Sequence, residues 1–166
     1  MEFEGEFTTE YSREELWGYF TDPNILAQCA PGVSDITLVS ESELTTTMSV
    51  GVGSVKPTFD VDMIVTEIRK PEFLQMKVGG EGSRNSFEAV AEMTLVDHNG
   101  TTTAQWKATA SVSGLIASLG QRALNSVSHR LINNFFEDIE AAVADESITA
   151  TEQLKANQDI DANIEQ

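Results

Sequence analysis

The sequence predicts an α+β domain: a curved, seven-stranded antiparallel sheet wrapped around one long C-terminal helix, with two short helices after the first strand. Two observations carry this. Segments of two-residue apolar alternation recur through the first two thirds of the chain, separated by short turns, as in an antiparallel meander. From Gly114 the period becomes helical, and Leu115, Leu119, Ala123, Val127, Leu131, Phe135, Ile139 and Val143 form an unbroken row at spacing four. Four exceeds 3.6 residues per turn, so the row winds around the helix. A flat sheet would cover only part of it; a curled sheet would cover most.

The elements follow in order. Met1–Thr8 alternates, with Met1, Phe3, Gly5 and Phe7 on one face and Glu2, Glu4 and Glu6 on the other. Ser12 followed by Glu15 has the spacing of a capping box, and Leu16, Trp17 and Phe20 supply a short apolar face behind it. Asp22-Pro23 opens a second short helix, with Asp at the cap and Pro at the first helical position. It carries Ile25, Leu26 and Cys29 and stops before Pro31-Gly32. Strands are then expected over 36–40 and 44–50, separated by Glu41-Ser42-Glu43. In the next strand Phe59, Val61, Met63 and Val65 alternate with Asp60, Asp62, Ile64 and Thr66, and Lys70-Pro71 ends it. Leu74, Met76 and Val78 mark a strand closing at Gly79-Gly80, and Phe87, Ala89, Ala91, Met93 and Leu95 the following one. Asp97-His98-Asn99-Gly100 has strong turn chemistry. Ala104, Trp106, Ala108, Ala110 and Val112 then form one face of the last strand. The helix runs from Gly114 to about Ala144, and residues 147–166 read as a polar, flexible tail beyond a single domain of residues 1–146.

One stretch breaks the strand pattern. Residues 50–59 read VGVGSVKPTF, and glycine and proline inside a strand each need a local reason. Gly51 and Gly53 permit a bend or bulge, which would make them a hinge at the mouth of a cavity. A tight hairpin with no ligand role is the other reading.

The chain has 166 residues, 40% of them hydrophobic, enough for one domain that buries roughly 70% of its unfolded surface. A net charge of −17, from 27 acidic and 10 basic residues, disfavours nucleic acid as a partner and suits either a salt-adapted surface or an ordinary solvated acidic one. No apolar run approaches the length of a membrane span, and Met1 leads directly into a strand pattern, so a cytoplasmic location is expected. The single cysteine, Cys29, leaves no internal disulfide.

The order β-α-α-β₆-α resembles the helix-grip architecture of the START-like, Bet v 1-like (SRPBCC) superfamily. Within it the chain is similar to the CoxG family, named for the G subunit of carbon monoxide dehydrogenase. The residues that carry the likeness are 3–7 (FEGEF), Asp22-Pro23 with Leu26, Ala27 and Cys29, Ala30-Pro31-Gly32, 51–56 (GVGSVK), 114–120 (GLIASLG) and Phe135-Phe136. The resemblance implies a non-enzymatic protein that assists or recruits a molybdenum hydroxylase of the carbon monoxide dehydrogenase type. It also implies a hydrophobic ligand held between sheet and long helix. The polar tail allows at most transient membrane contact.

Residue by residue, the chain offers little for catalysis or metal binding, and no cofactor is expected. His98 sits in a polar turn and His129 beside Arg130, too few ligands for a first-row metal. Cys29 reads as a small buried hydrophobe. The candidates for lining a ligand cavity are Phe20, Leu26 and Cys29 from the short helices; Met48, Val50 and Val52; Phe59, Val61 and Met63; Met76, Phe87, Met93 and Trp106 from the later strands; and Leu115, Leu119, Ala123 and Val127 from the helix. Thioethers adapt to irregular apolar shapes. The small inward residues Ala89, Ala91, Ala104, Ala108 and Ala110 mean either close packing or empty space. With Thr46 the clearest inward polar group, a quinone, isoprenoid or lipid suits such a wall. A cyclase or dehydratase of the same fold, or a closed-cavity interaction module, is the alternative.

Overall fold

The structure, a computed structural model, describes residues 1–22, 25, 29 and 32–164, with side chains through Asp145. Seven strands form one antiparallel sheet: β1 (Glu2–Thr9), β2 (Val33–Leu38), β3 (Glu43–Ser49), β4 (Thr58–Arg69), β5 (Phe73–Glu81), β6 (Asn85–His98) and β7 (Thr101–Gly114). Their order is β1-β7-β6-β5-β4-β3-β2, so the N-terminal strand closes the meander against its last member. Helix α1 (Arg13–Phe20) follows β1, and after β7 a 3₁₀ turn (Leu115–Leu119) leads into the long helix α2 (Gly120–Ile164). The expected curved α+β architecture is the one observed. Of the second short helix only Ile25 and Cys29, both helical, belong to the described residues.

Local chemistry explains the element ends. The Glu15 N–H donates to Ser12 Oγ at 3.3 Å, satisfying one of the orphan donors of α1. The last hairpin is tighter than the four-residue turn expected from sequence: β6 runs to His98, β7 starts at Thr101, and Asn99-Gly100 alone makes the turn. Nor does Gly79-Gly80 end its strand. β5 continues to Glu81, with Gly80 directly opposite Phe87. A side chain at Gly80 would collide with the Phe87 ring, so the glycine serves packing rather than termination. Gly5 plays the same part for Trp106, whose ring lies 2.7 Å from where a Cβ would stand.

Residues 50–57 form a small hairpin at the head of β4. Val52 and Val55 exchange backbone hydrogen bonds of 2.7 and 3.1 Å, and Val50 N–H donates to the Pro57 carbonyl at 3.1 Å. Gly53, at φ 63°, occupies the first central position of a two-residue turn, where positive φ matches the twist of the flanking strands. Val50 and Val52 turn into the core, and the Gly51 carbonyl accepts a hydrogen bond from the Arg130 guanidinium at 2.6 Å. The glycines therefore build a clasp from the sheet onto α2. The irregularities of the sheet fall elsewhere, between Ser34 and Thr37 in β2 and between Val65 and Glu67 in β4.

The long helix differs from its expected form at both ends. The segment 115–119 is not its first turn: Gly114 and Gly120, at φ 94° and 84°, set it apart as a separate 3₁₀ turn. The helix then continues to Ile164, past the Ala144 expected from the apolar row. Its buried residues are Leu124, Phe136, Ile139 and Val143, which join Phe3, Leu16, Trp17, Leu95 and Ala104 in the main core. Four rings hold the helix in place: Phe136 stacks on Phe7 (5.1 Å, 9°) and meets Phe20 edge-on (5.5 Å, 88°), while Phe20 also stacks with Phe135 at 6.0 Å.

Two substitutions test this description. Phe136→Ala removes the ring shared by β1, α1 and α2 and should cost about 3–5 kcal/mol in denaturant unfolding. Thr102 is fully buried and its hydroxyl donates to the Tyr11 carbonyl at 2.8 Å. Thr102→Val keeps the shape, strands that carbonyl, and should cost about 1–3 kcal/mol by the same measurement.

Candidate ligand cavity

Between the concave face of the sheet and α2 lies a cavity of about 390 Å³. That is toward the lower end of the range for small-molecule sites. The sheet supplies Met48, Val61, Met63, Leu74, Met76, Phe87, Met93 and Trp106, all from inward positions of the alternation. Phe20 from α1 and Leu131, Ile132, Phe135 and Phe136 from α2 close the other side. The ring cluster stands on the helix side of this space, and β6 and β7 present Ala91 and Ala108 on the sheet side. Of the inward alanines, Ala91 and Ala108 border this space, whereas Ala104 is buried in the main core and Ala110 packs against it.

The wall is almost wholly apolar. Thr46 borders it, but its hydroxyl is already committed to the Ser34 carbonyl at 2.6 Å. Glu92 and Lys107, also at its border, pair with each other at 3.4 Å, and Glu92 accepts a further hydrogen bond from Gln75 at 3.0 Å. His129 stands behind the wall, edge-on to Trp106 at 5.2 Å, with its Nδ1 2.9 Å from the Asn125 carbonyl. Among the described residues no group of three or more His, Cys, Asp or Glu side chains is placed to hold a metal ion. Two wider depressions, of about 610 and 510 Å³, are lined by Glu2, Glu4, Glu6, Glu92 and Lys107 along β1, β6 and β7. They offer polar surface and no apolar enclosure.

The candidate lining residues divide accordingly. Phe20, Met48, Val61, Met63, Met76, Phe87, Met93 and Trp106 come together around the cavity. Val50, Val52, Phe59 and Cys29 are buried but pack into the cores beside it, and half-buried Val127 packs against the main one. Burial, and secondarily the Asp138 carboxylate, push the Cys29 thiol above its usual pKa, the opposite of an activated nucleophile. Leu26 lies outside the described residues. Leu115 and Leu119 do not line the cavity: they are 50% and 37% exposed, because the 3₁₀ turn carries them away from the helix face. Ala123 is half-buried and away from the wall. Gly51 and Gly53 belong to the clasp and do not border the cavity. Sequence reasoning missed the β2 and β3 contributors Val33, Ile36 and Leu44, and the helix residues Leu131, Ile132, Phe135 and Phe136. The Phe-Phe pair was visible as a motif, but its place at the wall was not.

Among the described residues no helix is long and apolar enough to cross a membrane. Several solved structures share the fold. A conserved protein from Geobacillus kaustophilus is 29% identical, with a TM-score of 0.81 over 86% of this chain and 94% of its own. A START superfamily protein from Mycobacterium smegmatis superposes with a TM-score of 0.65 at 12% identity, over 87% of this chain and 97% of its own. The Zhui aromatase/cyclase from Streptomyces sp. R1128 gives 0.64 at 11% identity, over 87% and 93%. These last two bear on the fold alone. No curated protein matches the chain. Residues 5–144, the whole sheet apart from the first residues of β1 together with the packed part of α2, match the family of the carbon monoxide dehydrogenase G subunit (CoxG), and the chain belongs to that family.

Proposed function

We propose that the protein is a non-enzymatic carrier that holds an apolar molecule, a quinone, isoprenoid or lipid, between its sheet and α2. In this role it serves a molybdenum hydroxylase of the carbon monoxide dehydrogenase type as an accessory. The observation that carries the first half is the cavity itself: about 390 Å³ walled by methionine, phenylalanine and branched aliphatic side chains. Polar groups without a free partner would be expected in a site for a sugar or nucleotide, since a buried polar ligand atom left unpaired is costly. The partner rests on membership of the CoxG family.

The wall suits a ligand that is itself irregular and apolar. Met48, Met63, Met76 and Met93 come from four successive strands and can re-pack around different shapes at small cost. Phe20, Phe135 and Phe136 offer ring faces and edges on the opposite side. An enzyme of the same fold would need a titratable side chain aimed at the bound substrate. The charged pair Glu92–Lys107 is instead satisfied within itself.

Incubation with a membrane lipid extract followed by native mass spectrometry should show the protein carrying one apolar adduct, and short-chain quinones should quench Trp106 fluorescence in a saturable way. A protein that stays free of adducts and unquenched would remove the carrier reading. Ala91→Phe, which fills the cavity from β6, should weaken quinone binding by about tenfold or more while leaving thermal stability within a few degrees. Unaltered binding by this variant would place the ligand elsewhere.

A further inference from the structure

We propose that Met63, Met76 and Met93 form a modification site for hydrogen peroxide, and that their sulfoxides lower the affinity of the cavity for apolar guests. The second half rests on the carrier reading above. The chain has five methionines, and four of them line this cavity. Strand register sets three of the four in a row. Met63 pairs with Val78 and Met76 with Val65, which puts Met76 diagonally beside Met63 on the next strand. Met76 in turn pairs with Ala91 and Met93 with Leu74, which repeats the step. Diagonal neighbours on one face of a sheet lie within reach of long side chains. The row ends at Trp106, directly opposite Met93, whereas Met48 stands apart, opposite Phe59.

The three sulfurs are open to a small oxidant. Their side chains are half-buried, unlike Val61 and Leu74 beside them, which are buried. A space of about 390 Å³ is many times the roughly 30 Å³ that a water molecule takes up in the liquid, so peroxide reaches the row whenever no guest covers it. A thioether lone pair then attacks one peroxide oxygen. The S–O bond forms and the O–O bond breaks; sulfur gives up two electrons, and the departing hydroxide takes the proton from the transferred oxygen and leaves as water. Cys29 does not compete. It is buried and its raised pKa keeps it a thiol, while peroxide reacts with the thiolate.

Oxidation turns a flexible apolar side chain into a polar one. At the border of the cavity the Thr46 hydroxyl is given to the Ser34 carbonyl and the Lys107 ammonium to Glu92, so neither meets the new oxygens. A guest that covers an unpaired sulfoxide strips it of water without replacing the hydrogen bonds, which is costly. The fold is spared, because α2 is seated by the rings of Phe7, Phe20 and Phe136 and by Ile139 and Val143, which peroxide leaves intact. The change is also reversible, since two reductases return the two sulfoxide epimers to the thioether.

The test exposes the full chain, without added guest, to hydrogen peroxide and maps oxygen addition by peptide mass spectrometry. Met63, Met76 and Met93 should become sulfoxides at rates within about tenfold of Met1, which is 39% exposed, with circular dichroism unchanged. Nile red, an uncharged apolar dye, should bind the oxidised protein about tenfold or more weakly, and both sulfoxide reductases together should restore binding. The triple variant Met63→Leu, Met76→Leu, Met93→Leu keeps the volume of the row and should show one dye affinity before and after peroxide, whatever its value. Oxidation of Met1 alone, cavity sulfoxides with undiminished dye binding, unfolding on oxidation, or an equal loss in the triple variant would overturn the proposal. Untreated protein that binds no dye would instead sink the carrier reading and the second half with it, and the mapping alone would then decide the site.

Discussion

The position of α2 depends on Phe136. This ring is the point at which strand β1, helix α1 and the long helix meet, stacked on Phe7 and edge-on to Phe20. Edge and offset contacts of this kind add to the gain from burial and also fix an angle, which aliphatic contacts do not. The Arg130–Gly51 hydrogen bond holds the helix again six positions before this ring, and the stretch between the two borders the cavity through Leu131, Ile132 and Phe135. Alanines beneath it then leave a void that would otherwise collapse.

That void sets the chemistry of the molecule. Polar atoms near it are satisfied by one another: Thr46 by Ser34, Glu92 by Lys107 and Gln75. An apolar interior with internally paired polar neighbours has nothing to hold water in place, and dry apolar space favours apolar guests. The family to which the chain belongs and the shape of its interior thus point the same way, from separate lines of reasoning.

The architecture was legible because it rests on periodicity. Alternation in β1, β4, β6 and β7 marks which side chains turn inward, and the change of period marks the helix. Inward methionines and Trp106 were therefore found at the wall. What the pattern hid was local. Leu115 and Leu119 continue the spacing of the helix row, yet two glycines six positions apart detach them; those glycines were the available signal. The clasp at residues 50–57 looked like a break in a strand because a two-residue hairpin and a bulge call for the same residue types. The contributions of β2 were out of reach, since Asp35 at φ 53° interrupts its alternation and no outward–inward rule survives the interruption.

Bare backbone opposite an aromatic ring occurs twice in the sheet, Gly5 across from Trp106 and Gly80 across from Phe87. Sliding either strand by one position would thrust a glutamate beneath the first ring, and a glutamate or a second glycine with reversed facing beneath the other. Mispairing is thereby penalised at both flanks of the β5–β6–β7–β1 block. The sheet encodes part of its own alignment at two positions where a strand carries no side chain at all.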